Sequence, residues 1–403
     1  MRNGVFMTVS ECMDKAKKYM EQLTICSEHN VPERIVADEH AFFTWDNELR
    51  TPSLKPYLFD WSYYNGVVME GLLDIYETDK VKYVRLHDYV KEYLDAMITE
   101  DEKGHPVLDR NKAGYVDHHG VDCYKSAMLL EKMTDGKDVY AAIADDLYRD
   151  LTSDTYVNSH GDIVSVKYTE EALGGNYWHG WAGGNPPKYK VWLDGIYMIQ
   201  PFITAHAGRV GGHAQLEKGV RRFEWVATEL LSPQGIYYHA GNGRDDVCDF
   251  HWLRATGWYG MAMADVLELL PEEMSVGIRK AVKLFVDGML KIQDESGMWA
   301  NLADRPVTAT NRLETSGTAM MVYTILKAVR LGALDEEYRD KAVKAFCALA
   351  EQKLRDGKLE DIYMKAAADG TNNYEDPEYY MPDEGKGSGP FLMAYAEMLL
   401  FGC

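Results

Sequence analysis

The stretch GGNYWHGWAGGNPPKYKVWLDGIYMIQPF (174–202) starts as a glycine- and aromatic-rich loop and ends as a helix. It runs on into YMIQPFITAH (197–206), where apolar residues recur at i, i+3, i+4 and i+7, the period of a helix with a buried face. Moving outward toward the N-terminus, the same period appears in VDCYKSAMLLEKM (121–133), VYAAIADDLYRDL (139–151), GVVMEGLLDIYE (66–77) and VKYVRLHDYVKEYLDAM (81–97). Toward the C-terminus it appears in HAQLEKGVRRFEWVATELL (213–231), YGMAMADVLELL (259–270) and VGIRKAVKLFVDGMLKI (276–292). GTAMMVYTILKAVRLG (317–332), YRDKAVKAFCALAEQKL (338–354) and FLMAYAEMLLFG (391–402) complete that side. With the opening segment around 9–22, the template predicts roughly twelve helices. Alternating strand patterns are rare, so the chain is expected to be all-α.

The helices come in two kinds. One set follows glycine- and aromatic-rich stretches near positions 61, 117, 194, 254, 316 and 388; the other is charged and joined by short polar turns. The first set recurs at intervals of roughly 56 to 77 residues, which fits one helical hairpin plus a variable loop. Six such hairpins suggest a closed double ring, an (α/α)6 barrel in which the long loops before the inner helices gather on one face. An open α-solenoid has the same periodicity, and periodicity alone does not separate the two. No Pro/Ser-rich linker interrupts the pattern, so residues 1–403 are expected to form a single catalytic-type domain with a loop inserted around 152–173. Connections as long as 152–190 and 295–315 in a compact domain usually carry function.

Composition removes several classes. The 403 residues carry 43 Lys and Arg against 64 Asp and Glu, a formal charge of −21. That balance speaks against nucleic-acid binding, which needs a basic face, and against adsorption to anionic membranes. No apolar run reaches the roughly 18 residues of a membrane span. The start, MRNGVFMTVSECMDKAKKYM, lacks the apolar core and small-residue cleavage site of a signal peptide, which points to the cytoplasm. Six scattered cysteines with no Cys-x-x-Cys pair fit reduced core thiols. No metal-ligand spacing or strand–glycine–helix unit is present, so neither metal nor nucleotide cofactor is expected.

Asp194 is the residue that stands out. In Trp192-Leu193-Asp194-Gly195-Ile196-Tyr197-Met198 a carboxylate sits where loop becomes helix, between two aromatics. It reads either as an N-cap that accepts bonds from backbone amides or as an acid whose apolar walls and helix terminus pull its pKa in opposite directions.

The segment also resembles the signature of unsaturated rhamnogalacturonyl hydrolases, glycoside hydrolase family 105, which runs Trp-His-Lys, a spacer, then Trp-Leu-Asp-Gly-Leu-Tyr-Met. Other pieces follow in the family's order over about residues 55–400. Trp61-Ser-Tyr63-Tyr64-Asn-Gly66-Val67 is similar to its first inner-helix motif, and Val116-Asp117-His118 to the stretch carrying a second Asp. Tyr237-Tyr238-His239-Ala240 is similar to a substrate-facing His motif, and Trp252-Leu-Arg254-Ala-Thr-Gly257-Trp258 to Trp-x-Arg-Gly-Asn-Gly-Trp. Leu313-Glu314-Thr315-Ser316 and Gly387-Ser388-Gly389-Pro390-Phe391-Leu392 complete the series. Each motif is weak alone; their collinearity is strong. The chain departs from the family where Ala255-Thr256 replace Gly-Asn, where Gly180 replaces the Lys after His179, and around 152–173.

The resemblance implies a glycosidase without cofactor or metal. Its substrate would be a lyase-generated, pectin-type oligosaccharide bearing a 4,5-unsaturated uronic acid at the non-reducing end. The reaction would be hydration of the vinyl ether: a proton to C4, water to C5, and collapse of the hemiketal with loss of the leaving sugar. Asp194 would be the acid/base and Asp117 the second carboxylate, with Asp122 a rival for that position. His179 and His239 would hydrogen-bond sugar or water, and Arg254 would receive the uronate. Trp61, Tyr63, Trp192, Trp252 and Trp258 would supply stacking faces, each being equally a large core side chain. Alternatives are an unsaturated glucuronyl hydrolase, a sugar epimerase using a His pair, and a non-catalytic carbohydrate-binding toroid.

Overall fold

The computed structural model describes residues 7–23, 61–109, 121–134, 138–152, 191–364 and 374–403. Among them the twelve expected helices are present, in chain order α1 (Val9–Leu23), α2 (Tyr63–Thr78), α3 (Val84–Ala96), α4 (Ala127–Met133), α5 (Asp138–Leu151) and α6 (Leu193–Val210). They continue as α7 (His213–Glu229), α8 (Leu253–Leu269), α9 (Val276–Leu290), α10 (Thr315–Arg330), α11 (Glu337–Gln352) and α12 (Gly385–Leu400).

Even-numbered helices form an inner ring. Each packs along the next, α2 on α4, α4 on α6, α6 on α8, α8 on α10 and α10 on α12, and α12 returns onto α2. That last contact closes the ring and decides between the barrel and the open solenoid. It rests on two glycines that face each other across the seam. A Cβ on Gly71 would come within 2.9 Å of Leu392 Cβ, and one on Gly389 within 2.6 Å of Val67 Cγ1. Backbones can approach this closely only where side chains are absent.

The sequence distinguishes the two rings through the width of the apolar face. Every residue of Leu253–Leu267 in α8 and of Thr315–Val329 in α10 is buried, as a helix surrounded on all sides requires. In α9 only Ile278, Ala281, Val282, Phe285, Val286, Gly288 and Met289 are buried, a stripe at helical spacing, as on an outer helix. One continuous apolar cluster draws side chains from all twelve helices. Each fully buried Leu, Ile, Phe or Met contributes about 1.5–3 kcal/mol relative to exposure.

One expected helix is divided. The run 121–133 forms a 3-10 turn (Val121–Tyr124) and then the short α4. Its junction is pinned to α2: Ser126 Oγ donates to Ser62 O at 3.0 Å, and Lys125 pairs with Glu70. The long loops expected around 152–173 fall almost entirely outside the described residues.

Short strands line the end where the inner helices begin. β1 (Ile98–Glu100) and β2 (Pro106–Leu108) form a hairpin after α3. β3 (Val191–Trp192), β4 (Ala240–Gly243) and β5 (Asp246–Val247) make a small antiparallel sheet beside the start of α6. β6 (Leu354–Arg355) pairs with β7 (Lys358–Leu359), and β8 (Ile362–Tyr363) with β9 (Tyr380–Met381), ahead of α12. At the opposite end, where the inner helices finish, lies a cavity of about 700 Å³ lined by Glu70, Asp74, Lys132, Asp265, Lys327 and Arg330, among others.

Candidate active site

Pairing of β3 with β4 sets Trp192 opposite Ala240, and Leu193 N–H donates to His239 O at 3.0 Å. This register places the His239 side chain against the first turn of α6. Asp194 is the second residue of that helix and does not cap it; the N-cap is Trp192, which makes no side-chain cap bond. The Asp194 carboxylate instead meets the imidazole, Nε2 to Oδ2 at 2.9 Å. His239 is fully buried while 21% of the Asp194 side chain is exposed, so the acid has an open side and its partner does not.

The imidazole is fixed from every direction described. Its Nδ1 lies 2.8 Å from the Tyr374 hydroxyl, and the rings of Trp192 and Trp252 each lie 5.1 Å away. With the Tyr374 O–H donating to Nδ1, the ring hydrogen sits on Nε2 and is donated to Asp194.

Asp122, in the 3-10 turn, is the second carboxyl. Burial, and then the charge of Asp194, push its pKa up to about 7, while Lys386 pulls it down. Near neutral pH Asp122 therefore holds a proton about half the time, next to the Asp194 carboxylate. Two neighbouring carboxyls that cannot both ionise freely are the arrangement from which acid/base chemistry is built.

Two cations and a phenol complete this end. Arg254, at the first turn of α8 and 2% exposed, lies over the Trp252 ring at 4.2 Å. Its guanidinium donates to the Tyr363 and Met364 carbonyls and, at 3.4 Å, to Ser316 Oγ. Lys386, at the first turn of α12, pairs with Glu384 at 3.1 Å, and burial lowers its pKa. Tyr63, the first residue of α2, is pushed well up by burial and then by the charges of Asp122 and Glu384. Glu314 caps α10, accepting from Ser316 N and Gly317 N at 3.0 and 2.8 Å, and reaches Tyr363 N at 3.1 Å.

The residues expected from sequence separate into three groups. Asp194, His239, Trp192, Tyr63 and Arg254 converge at the mouth of the ring. Trp61, Trp252 and Trp258 are buried to 2% exposure or less. Trp258 stacks on Tyr197 at 4.8 Å, and Trp252 donates its indole N–H to Asn301 Oδ1 at 2.9 Å. Their bulk packs the ring and holds the residues that carry charge. Asp117 and His179 lie outside the described residues. Sequence reasoning did not single out Tyr374 or Lys386. Lys386 adjoins the Gly387-Ser388-Gly389 motif and was within reach. Tyr374 stands in a polar loop with no pattern to mark it.

Among the described residues no group of three or more His, Cys, Asp or Glu is placed to hold a metal ion, and no helix is long and apolar enough to cross a membrane.

The model of glycosyl hydrolase family 88 matches residues 46–401. The chain belongs to that family. It is thus a glycosidase, and the match covers the whole ring of inner helices. Protein Atu3128 of Agrobacterium fabrum is 31% identical over 230 residues, 50% of this chain and 99% of that protein. The unsaturated rhamnogalacturonyl hydrolase YesR of Bacillus subtilis is 24% identical over 353 residues, 85% of this chain and 90% of that one. A family 105 glycoside hydrolase from Clostridium acetobutylicum has the same fold, with a TM-score of 0.70 at 23% identity over 96% of this chain and 99% of that one.

Proposed function

We propose that this glycosidase removes a 4,5-unsaturated uronic acid from the non-reducing end of lyase-generated oligosaccharides by hydrating the vinyl ether, with Asp194 and Asp122 as the acid/base pair. The observation that carries the reading is the pairing itself. Asp194 is partly open and held by a buried histidine, and beside it stands a carboxyl with its pKa raised to about 7. Adding water across a C4–C5 double bond needs one proton delivered to C4 and one removed from the water that attacks C5. A pair holding one proton gives it to the carbon and regains it from the water. The resulting hemiketal opens by breaking the bond from C5 to the ring oxygen: the oxygen of the added water becomes the C5 keto group, the ring oxygen stays on C1 as a hemiacetal hydroxyl, and collapse of that hemiacetal to an aldehyde releases the leaving sugar with a hydroxyl. Water is consumed and no redox change occurs.

His239 Nε2–H keeps Asp194 oriented, and the raised pKa of Asp122 makes Asp122 the holder of the resting proton. The uronate carboxylate enters a region made positive by Arg254 and Lys386, both buried in the low-dielectric mouth. Arg254, whose donors already hold β8, acts here mainly through its charge. The likeness to YesR supports a rhamnogalacturonan-type substrate, and the four free cysteines described support a reducing compartment such as the cytoplasm.

The test follows the ultraviolet absorbance of the conjugated uronate while protein is added to an unsaturated uronyl-rhamnose disaccharide and, separately, to an unsaturated glycosaminoglycan disaccharide. Absorbance should disappear with the first and more slowly with the second. Faster loss with the second favours the glucuronyl reading, and no loss with either removes the hydration reading. Asp194→Asn should stop the loss in a protein that remains folded.

A further inference from the structure

The carboxyl pair stands on two separate elements, the 3-10 turn and α6, and something must hold these at a fixed spacing. Like charges in a buried setting push apart, and neither backbone hydrogen-bonds the other at that level. One turn deeper, a buried ionic contact joins them. Lys125 follows Asp122 by three residues, and its N–H donates to Asp122 O at 3.2 Å. Tyr197 follows Asp194 by three residues on α6. The Lys125 ammonium lies over the Tyr197 ring, 3.9 Å from its centroid, and pairs with Glu70 of α2. The Tyr197 hydroxyl also reaches Glu70, at 3.4 Å.

The lysine and the acid are each 1% exposed, and the Tyr197 ring is clamped on its far side by Trp258. Glu70 takes a second cation, Lys132 of α4, at 3.2 Å. This group therefore bridges α2, α4, α6 and the 3-10 turn at a level roughly 5–6 Å below the two carboxyls, one turn of either helix type.

We propose that Lys125 is a positioning residue: by binding Glu70 and the face of Tyr197 together, it sets the separation of Asp122 and Asp194. It touches no reacting atom. Its effect comes from geometry, because an error of about 1 Å in a catalytic constellation costs on the order of a hundredfold in rate.

The kinetic part rests on the hydration reading; the structural part does not, and the experiment keeps them apart. The variant is Glu70→Gln with Lys125→Met, which removes both charges and so strands neither in the interior. Because the pair is neutral overall, deleting it changes Asp122 through spacing rather than through lost charge. Among the described residues, the titratable groups that face Asp122 are Asp194 from α6, Lys386 from α12 and Tyr63 from α2, and none is altered.

Released, the two carboxyls should move apart and Asp122 should lose part of the upward push from Asp194. Carboxyl 13C NMR without substrate should then show its titration midpoint falling by about one unit. With substrate, kcat should fall on the order of ten- to a hundredfold with KM nearly unchanged, and the alkaline limb of the kcat profile should move to lower pH by the same shift. Glu70→Asp with Lys125→Arg, a shorter acid with a longer base, should restore most of both. If the first variant does not fold, Tyr197→Leu removes the ring and keeps the ion pair, and the same titration applies.

A variant that melts earlier but leaves the Asp122 midpoint and the alkaline limb in place would make Lys125 a purely structural residue and overturn the proposal. If the native enzyme consumes neither disaccharide, the function is misread, and the substrate-free titration still decides the positioning.

Discussion

Where the inner helices begin, Asp122 is pushed up to about 7; deeper in the ring, Glu70 is held down at about 2, as is Glu268 where the helices finish. Burial pushes all three up, so the difference lies in partners. Glu70 has Lys125 and Lys132, and Glu268 has Lys327 at 2.8 Å and Arg330 at 3.1 Å. Asp122 faces another acid. Asp74, which shares Lys132 with Glu70, departs from the pattern at the far end, where burial raises it to about 6.

Helix polarity accounts for part of this. The last turns of α10 supply Lys327 and Arg330 to the negative ends of the inner helices, where cations are stabilised. At the first turns the favoured guests are acids, and Glu314 and Glu384 take that place as caps. Asp194 is not used as a cap; its carboxylate turns to His239 instead. One end of the ring sets its acids against cations, and the other sets two carboxyls beside each other.

The largest expected effects break the open end. Asp194→Asn and Asp122→Asn should each lower kcat by on the order of 10²–10⁴, the usual contribution of a positioned acid or base. The comparison is sharpened by stability. Asp122→Asn should melt later than the native chain at pH 8, because it removes a carboxylate whose ionisation the fold resists. An inactive Asp122→Asn with a lower melting temperature would place Asp122 with the paired acids at the other end.

Next comes the closed end. Lys327→Met leaves Asp265 without its 2.8 Å partner and Glu268 with Arg330 alone. Breaking a buried pair from one side costs about 3–5 kcal/mol, visible as a lowered denaturation midpoint. Activity per folded molecule should stay within about twofold, since the change lies a helix length, roughly 20 Å, from Asp194. Loss of activity in a folded protein would show that the two ends are not independent.

Smaller, and opposite in sign at the two ends, is the pH dependence of stability. A carboxyl raised on folding stabilises the native state while protonated, and that contribution is lost as pH rises from the ordinary value near 4 through about 7. Carboxyls lowered on folding stabilise above about 4.5, and that contribution is lost as pH falls toward 2. The difference between native chain and Asp122→Asn should therefore grow between pH 5 and pH 8, reaching on the order of 1–2 kcal/mol after allowance for solvent around a partly exposed site. Chemical denaturation at both pH values measures it, and a constant difference would contradict the raised pKa.

Much of this was legible in the sequence. Period and apolar width distinguish the inner from the outer helices, because a helix buried all round cannot carry a polar stripe. Ring closure is expected from six hairpins and the family resemblance, but periodicity alone does not decide it. Closure depends on Gly71 meeting Gly389 across more than 300 residues, and no local pattern links the two glycines. The local Trp-Leu-Asp-Gly run marked Asp194, yet its isolated reading as a cap was wrong for a reason no local pattern holds: β3 pairs with β4 and brings His239 to it. Asp122 and Lys125 lay inside what reads as one amphipathic helix, and only the tertiary pull of Ser62 and Glu70 turns that start into a 3-10 turn that presents a carboxyl to the mouth.

The smallest effect concerns the field of the whole chain. A net charge of −21 repels an anionic uronate at long range, whereas Arg254 and Lys386 attract it only near the mouth. Salt screens the first interaction more than the second, because the repulsion acts through solvent across many ångströms and the cations are buried. Raising salt from about 0.05 M to about 0.5 M shortens the screening length severalfold, so kcat/KM should hold steady or rise by up to about threefold. A steep fall would mean that substrate is steered by an exposed basic surface. The catalytic end would then carry favourable long-range charge as well as its raised carboxyl, and the division between the two ends would have to be redrawn around cations rather than carboxylates.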